Sequence, residues 1–168
     1  MEESAWLCAQ TDDAEGTRAL AGAVAPHLGQ GDVLVLTGDL GAGKTCFTQG
    51  LGAALGVADR ITSPTFTIVS EYEGRLPLHH LDVYRIDDPD DTLDLDLPEL
   101  LEAGVTVVEW GERIDAALPA SRATVELRFD DRDGDPDSRQ LRIGLHGPSW
   151  LARWPALARD LEPWAVPC

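Results

Sequence analysis

Apolar residues recur along this chain in two rhythms. In TDDAEGTRALAGAVAPHL, residues 11–28, Leu20, Val24 and Leu28 return every fourth position. That spacing predicts an amphipathic helix, with Thr11 or Asp12 as its N-cap. DVLVLTG, residues 32–38, is instead a continuous apolar run of strand length, the pattern of a parallel strand buried on both faces. VTVVEW, residues 105–110, repeats it. TFTIVSEY (65–72) and LPLHHLDVYRI (76–86) read as strands joined by a turn at EGR, and residues 4–9 as a short strand. ATVELRF and RQLRIGL alternate apolar and polar positions, which predicts a hairpin across DDRDGDPDS, residues 130–138. A helix is expected from about Gly43 through Leu55. DDPDDTLDLDLPELLEAG, residues 87–104, holds one or two short helices, with Pro98 in a first turn and Gly104 at a C-terminal cap. The tail from Gly147 onward carries three of the five tryptophans and reads as a helix packing on the rest.

Strands alternating with helices predict an α/β fold, and 168 residues fit a single domain, 1–168, with the tail from about 147 packing on it. No apolar run approaches the roughly 20 residues of a membrane span. The N-terminus lacks the basic and apolar regions of a secretory signal. Cys8, Cys46 and Cys168 form no C-x-x-C and read as free thiols in a reducing compartment, so a cytoplasmic location is expected. The formal net charge of −17 argues against direct binding to a polyanion, since nucleic-acid affinity rests largely on cations that neutralise phosphates, or it simply keeps the protein soluble. The acidic loop 130–138 is not a calcium loop: with Gly134 at the loop glycine, Phe129 and Gln140 fall on the first and last ligand positions.

One stretch carries explicit chemistry. GDLGAGKT, from Gly38 to Thr45, satisfies G-x-x-x-x-G-K-[ST] between a predicted strand and a predicted helix. Glycines let the backbone curl round a phosphate with its amides inward, and the helix start turns its positive dipole end to the same group. Lys44 is the single lysine in a chain with twelve arginines. A compact ammonium on a thin stem suits the terminal phosphates inside a tight loop better than a planar guanidinium does. The motif predicts a nucleotide-binding P-loop. Asp39, Leu40, Gly41, Ala42, Gly43, Lys44 and Thr45 are then the phosphate-binding residues, with Thr45 a Mg²⁺ ligand.

Acids at strand ends complete the expectation. Glu109 closes VTVVE and is favoured as the metal-linked carboxylate; Asp82 closes LHHLD and would orient water or the metal shell; the plainer reading of either is a strand-end acid capping a loop. Thr65, beside Pro64, suits a switch that senses the γ-phosphate, or simply starts a strand. Trp110 stacks on a base or fills the core. His79 and His80 are adjacent and so point to opposite faces of a strand; packing or hydrogen bonding suits them better than a shared metal. The chain has no asparagine and no second lysine, which excludes the usual guanine-reading N-K-x-D element and leaves ATP as the default nucleotide.

GDLGAGKT, SPTFTIV, HLDVYR and VEWGERI, in this order, resemble the bacterial tRNA threonylcarbamoyladenosine biosynthesis family TsaE, from about Gly31 to Pro119. The resemblance implies a P-loop NTPase-like three-layer sandwich with a mixed, mostly parallel central sheet, and a compact ATPase, weak alone, that hydrolyses ATP with Mg²⁺ and acts with the proteins TsaD and TsaB. It implies contact with tRNA only through those partners, and no membrane. Residue by residue it places the phosphate loop on Gly38 to Thr45, the required aspartate on Asp82, the acid of the V-E-W element on Glu109 beside Trp110, and the switch-like threonine on Thr65. Cys46 departs from the second threonine of many relatives. A stand-alone small-molecule kinase and a nucleotide-dependent binding switch are the alternatives.

Overall fold

The structure is a computed structural model that describes residues 3–64, 69–132 and 134–168, the side chains of Pro89, Leu93 and Asp94 excepted. Its elements follow the hydrophobic pattern closely. They are β1 (Ser4–Thr11), α1 (Ala14–Val24), β2 (Val33–Thr37), α2 (Lys44–Ala54), β3 (Val69–Tyr72), β4 (Leu78–Asp82) and α3 (Leu97–Glu102). Then come β5 (Val105–Glu109), β6 (Arg122–Phe129), β7 (Arg139–His146), α4 (Pro148–Leu151), α5 (Trp154–Asp160) and β8 (Ala165–Val166). The acid-rich segment forms a 3₁₀ turn, Pro89–Leu95, ahead of α3. The first helix starts later than its sequence indicates. Thr11 is still in β1, and Asp13 caps α1 by accepting from the Gly16 N–H at 2.7 Å.

One eight-stranded sheet runs in the order β3-β4-β5-β2-β6-β7-β1-β8. It is mixed, as expected, with a clear division: β4, β5, β2 and β6 pair in parallel at the centre, and the pairs to either side are antiparallel. The continuous apolar runs of β2 and β5 are explained by their place, since each has a layer on both faces. On one side Leu34, Leu36, Val107 and Val125 pack with Leu20 and Val24 of α1 and with Phe47 and Leu51 of α2. On the other, Val33, Val35, Val108 and Leu81 pack with Leu97 of α3 and with Ile114 and Leu118 beyond β5. This is the three-layer sandwich. In the tail, Trp150, Leu157 and Leu161 are buried in the first of these clusters, and Arg153 ties α4 and α5 down by pairing with Asp32 at 2.5 and 3.0 Å.

A further expectation fails. Cys8 and Cys168 form a disulfide, with their Cα atoms 5.3 Å apart, and only Cys46 is free. β8, which pairs Val166 with Cys8, is two residues long and follows a proline-interrupted segment, so no hydrophobic period announces it. Without that strand the sequence gives no reason to bring residues 8 and 168 together.

Candidate nucleotide-binding site

Lys44, Thr45, Asp82, Glu109 and Trp110 gather at one edge of the parallel sheet, the carboxyl edge, where open α/β folds bind ligands. β2 ends at Thr37 and the chain turns at Gly38, whose φ is +147°. A Cβ there would stand 2.5 Å from the Leu127 carbonyl oxygen of the neighbouring β6, so the loop approaches the sheet as only glycine allows. The Ala42 N–H donates to the Asp39 carbonyl at 3.0 Å and closes the turn. Gly43, at φ +110°, then feeds directly into α2. Leu40 stands at the tip, 81% exposed.

Lys44 is buried, and its ammonium lies across the loop. Nζ donates to the Gly38 carbonyl at 2.6 Å and to that of Asp39 at 3.0 Å, and sits 4.3 Å from the centroid of the Trp110 ring. Burial pulls its pKa below the ordinary lysine value, against the opposing field of Glu109, Asp82, Glu112 and Asp39. Those acids offset part of the cost of burying the ammonium.

β4 and β5 pair in parallel with Asp82 opposite Glu109, so the two carboxylates end adjacent strands on one face. Glu109 is 3% exposed and held at both oxygens. Oε1 accepts from the Thr45 hydroxyl at 3.3 Å, and Oε2 lies 2.6 Å from His80 Nε2. A carboxylate can only accept, so that imidazole nitrogen carries the proton. Asp82 is half-buried, accepting from the Ser63 hydroxyl at 3.2 Å and from the Tyr84 N–H at 3.0 Å. Trp110 adopts a left-handed conformation, φ +62°, and its ring packs on Tyr84 with centroids 4.9 Å apart.

The donor set fits a hard divalent cation. A hydroxyl oxygen and a buried carboxylate oxygen sit beside each other next to a phosphate-type loop, the ligand chemistry Mg²⁺ takes. The loop fits phosphate, since the eleven-residue α2 starts at its lysine and points its amides into it.

Comparison with known proteins agrees with the motif order. The family profile described as "Threonylcarbamoyl adenosine biosynthesis protein TsaE" matches residues 11–141. The chain belongs to the TsaE family. Two of its relatives, both named tRNA threonylcarbamoyladenosine biosynthesis protein TsaE, come from Bacillus subtilis and Streptomyces coelicolor. The first is 43% identical over 149 residues, 88% of this chain and 89% of the relative. The second is 43% identical over 139 residues, 79% and 93% respectively. The crystal structure of Bacillus subtilis YdiB superposes with a TM-score of 0.69 at 35% identity, covering 97% of each chain.

The TsaE match spans the loop, Asp82, Glu109 and the start of β7, and ends before the helical tail. Of the candidates read from the sequence, the structure brings Lys44, Thr45, Asp82, Glu109 and Trp110 to one place, with Asp39 to Gly43 forming the loop over them. Thr65 lies outside the described residues. Sequence reasoning missed His80 as the partner of Glu109, although a signal exists: His80 and Asp82 alternate on one strand face, and that face carries Glu109 on β5. It also missed Arg139, which reaches the loop from β7 and has no local signature.

Proposed function

We propose that this chain binds and hydrolyses ATP with Mg²⁺ as an accessory subunit in the formation of threonylcarbamoyladenosine in tRNA. In this reading it docks on the TsaD and TsaB proteins and meets tRNA only through them; a cytoplasmic location then follows from that pathway and not from free thiols, since Cys8 and Cys168 are bonded. The observation that carries the proposal is the Thr45–Glu109 contact, which joins the last residue of the phosphate loop to a buried strand-end carboxylate. The family gives the pathway, and the charge of −17 fits a subunit that leaves the polyanion to others.

The residues divide the work by position. Loop amides and the start of α2 hold the phosphates, and the Lys44 ammonium neutralises charge at their terminal end. The Thr45 hydroxyl and Glu109 would hold Mg²⁺, which when bound offsets charge on the phosphate oxygens. Asp82, fixed by Ser63 and by the Tyr84 N–H, faces the same space and orients attacking water. Trp110 and Tyr84 shield the lysine end of the loop from bulk water.

The test is the fate of labelled γ-phosphate. Release as inorganic phosphate, slow for the chain alone and faster with TsaD and TsaB, is the expected result. Transfer of label to a small metabolite, or a rate that the two proteins leave unchanged, contradicts the proposal.

A further inference from the structure

We propose that Arg139, the first residue of β7, is a positioning residue that sets the shape of the phosphate loop from outside it. The inference rests on the reading of Gly38–Thr45 as an ATP-phosphate site and adds a residue that neither the motif nor its strand-end acids include.

Arg139 stands 97 positions from Ala42, yet its Nε donates to the Ala42 carbonyl at 3.0 Å, and its Nη2 lies 3.4 Å from the Gly41 carbonyl. The other end of the guanidinium, Nη1, donates to the carbonyls of Pro136 at 2.5 Å and Ser138 at 2.9 Å. The group also lies over the Phe129 ring, 4.4 Å from its centroid. One planar fork therefore ties the 130–138 hairpin loop to the outer side of the phosphate loop. A lysine ammonium on a flexible stem cannot reproduce this shape.

Peptide geometry gives the clamp its consequence. No peptide bond among the described residues is cis, so the Gly43 N–H points opposite to the Ala42 carbonyl, away from Arg139. The Ala42 N–H, opposite the Gly41 carbonyl, is already committed to Asp39. Gly43 tolerates many backbone conformations, so the orientation of this peptide plane is open to influence from a bond made to the Ala42 carbonyl. Holding the Ala42 carbonyl from β7 selects the orientation that turns the Gly43 amide to the concave, phosphate-facing side. The guanidinium also adds a positive charge to the outer wall of the loop, beyond the reach of Lys44.

The experiment pairs two readouts on the full chain, comparing wild type with R139K and R139A. Calorimetry measures the affinity for Mg²⁺·ADP. Hydrogen exchange on the nucleotide-free protein follows the peptide covering 38–45 and, separately, β6 and β7. The expected result is a loss of ADP affinity of about 10- to 100-fold in R139A. R139K should fall closer to R139A than to wild type. Exchange should quicken at 38–45 while β6 and β7 keep their protection. Wild-type affinity and unchanged exchange at 38–45 in both variants overturn the proposal, as does quickened exchange confined to β7, which marks a purely structural arginine. If R139A does not fold, R139K carries the same comparison. A wild-type chain that binds no ADP would overturn the phosphate-site reading instead, and loop exchange alone would then decide for or against the clamp.

Discussion

At the scale of single residues, the lone lysine is the most exacting position. Its ammonium bridges the Gly38 and Asp39 carbonyls and lies against Trp110, a set of contacts that suits a compact point charge better than a planar fork. Lys44→Ala is expected to lose ATP affinity with the fold retained, and Lys44→Arg to be impaired as well; calorimetry with ATP and circular dichroism check both. His80 supports the site from below. His80→Phe leaves Glu109 Oε2 buried without its donor, a loss of about 1–3 kcal/mol in urea unfolding, whereas His80→Gln recovers part of it by restoring an N–H. Equal losses in the two variants would show that packing, not the hydrogen bond, matters there. Lys44, Thr45 and Glu109 were legible in the sequence because loop spacing and strand ends have strong local signatures. His80 and Arg139 were not, because their partners come from other strands and the pairing register had to be known first.

At the scale of elements, α1 and α2 meet at glycine. A Cβ on Gly50 would stand 2.3 Å from the Arg18 carbonyl oxygen, a backbone atom that cannot move aside without shifting α1. Ala is the better helix former by about 1 kcal/mol, but overpacking of this kind costs about 1–3 kcal/mol or more. Gly50→Ala is therefore expected to destabilise the protein in chemical denaturation. Gly52→Ala should be milder, since its close neighbour is Ile61 Cδ1, the end of a side chain that can rotate. The β6–β7 connection depends on Asp130, whose Oδ1 accepts from the Arg132 N–H at 3.2 Å, Arg132 Nε at 3.3 Å and Gln140 Nε2 at 3.2 Å. The Arg132 amide leads in holding this carboxyl below its usual value of 3.8. The folded-state pKa is depressed, so the contribution is present in full above the unfolded value and is lost as pH falls through the lowered one. Asp130→Asn should thus weaken the hairpin at neutral pH and flatten the acid limb of its hydrogen-exchange profile. The elements themselves were well read from hydrophobic rhythm. The exceptions are instructive: the α1 cap moved to Asp13 because Thr11 is held in β1 opposite Arg139, and β8 is too short to have a period.

At the scale of the whole molecule, the Cys8–Cys168 bond closes a loop across nearly the entire chain and pins the tail beside β1. Thiol titration of the unfolded, unreduced protein should give one thiol, Cys46, and three after reduction; three before reduction would contradict the bond. Among the described residues no helix is long and apolar enough to cross a membrane. The fold class was legible because a P-loop between a buried strand and a helix admits few architectures, but the antiparallel flank around β1 and β8 was not, since edge pairing depends on contacts distant in sequence. The central claim is the proposed one, that this site hydrolyses ATP and thereby sustains the modification of tRNA by other subunits. Its most direct measurement is threonylcarbamoyladenosine formed per TsaD–TsaB complex on unmodified tRNA, with ATP and a threonylcarbamoyl donor supplied. Repeated turnover with the wild-type chain, and its loss with Glu109→Ala, is the predicted result. Equal turnover with the wild-type chain, with Glu109→Ala or with no chain added would contradict it.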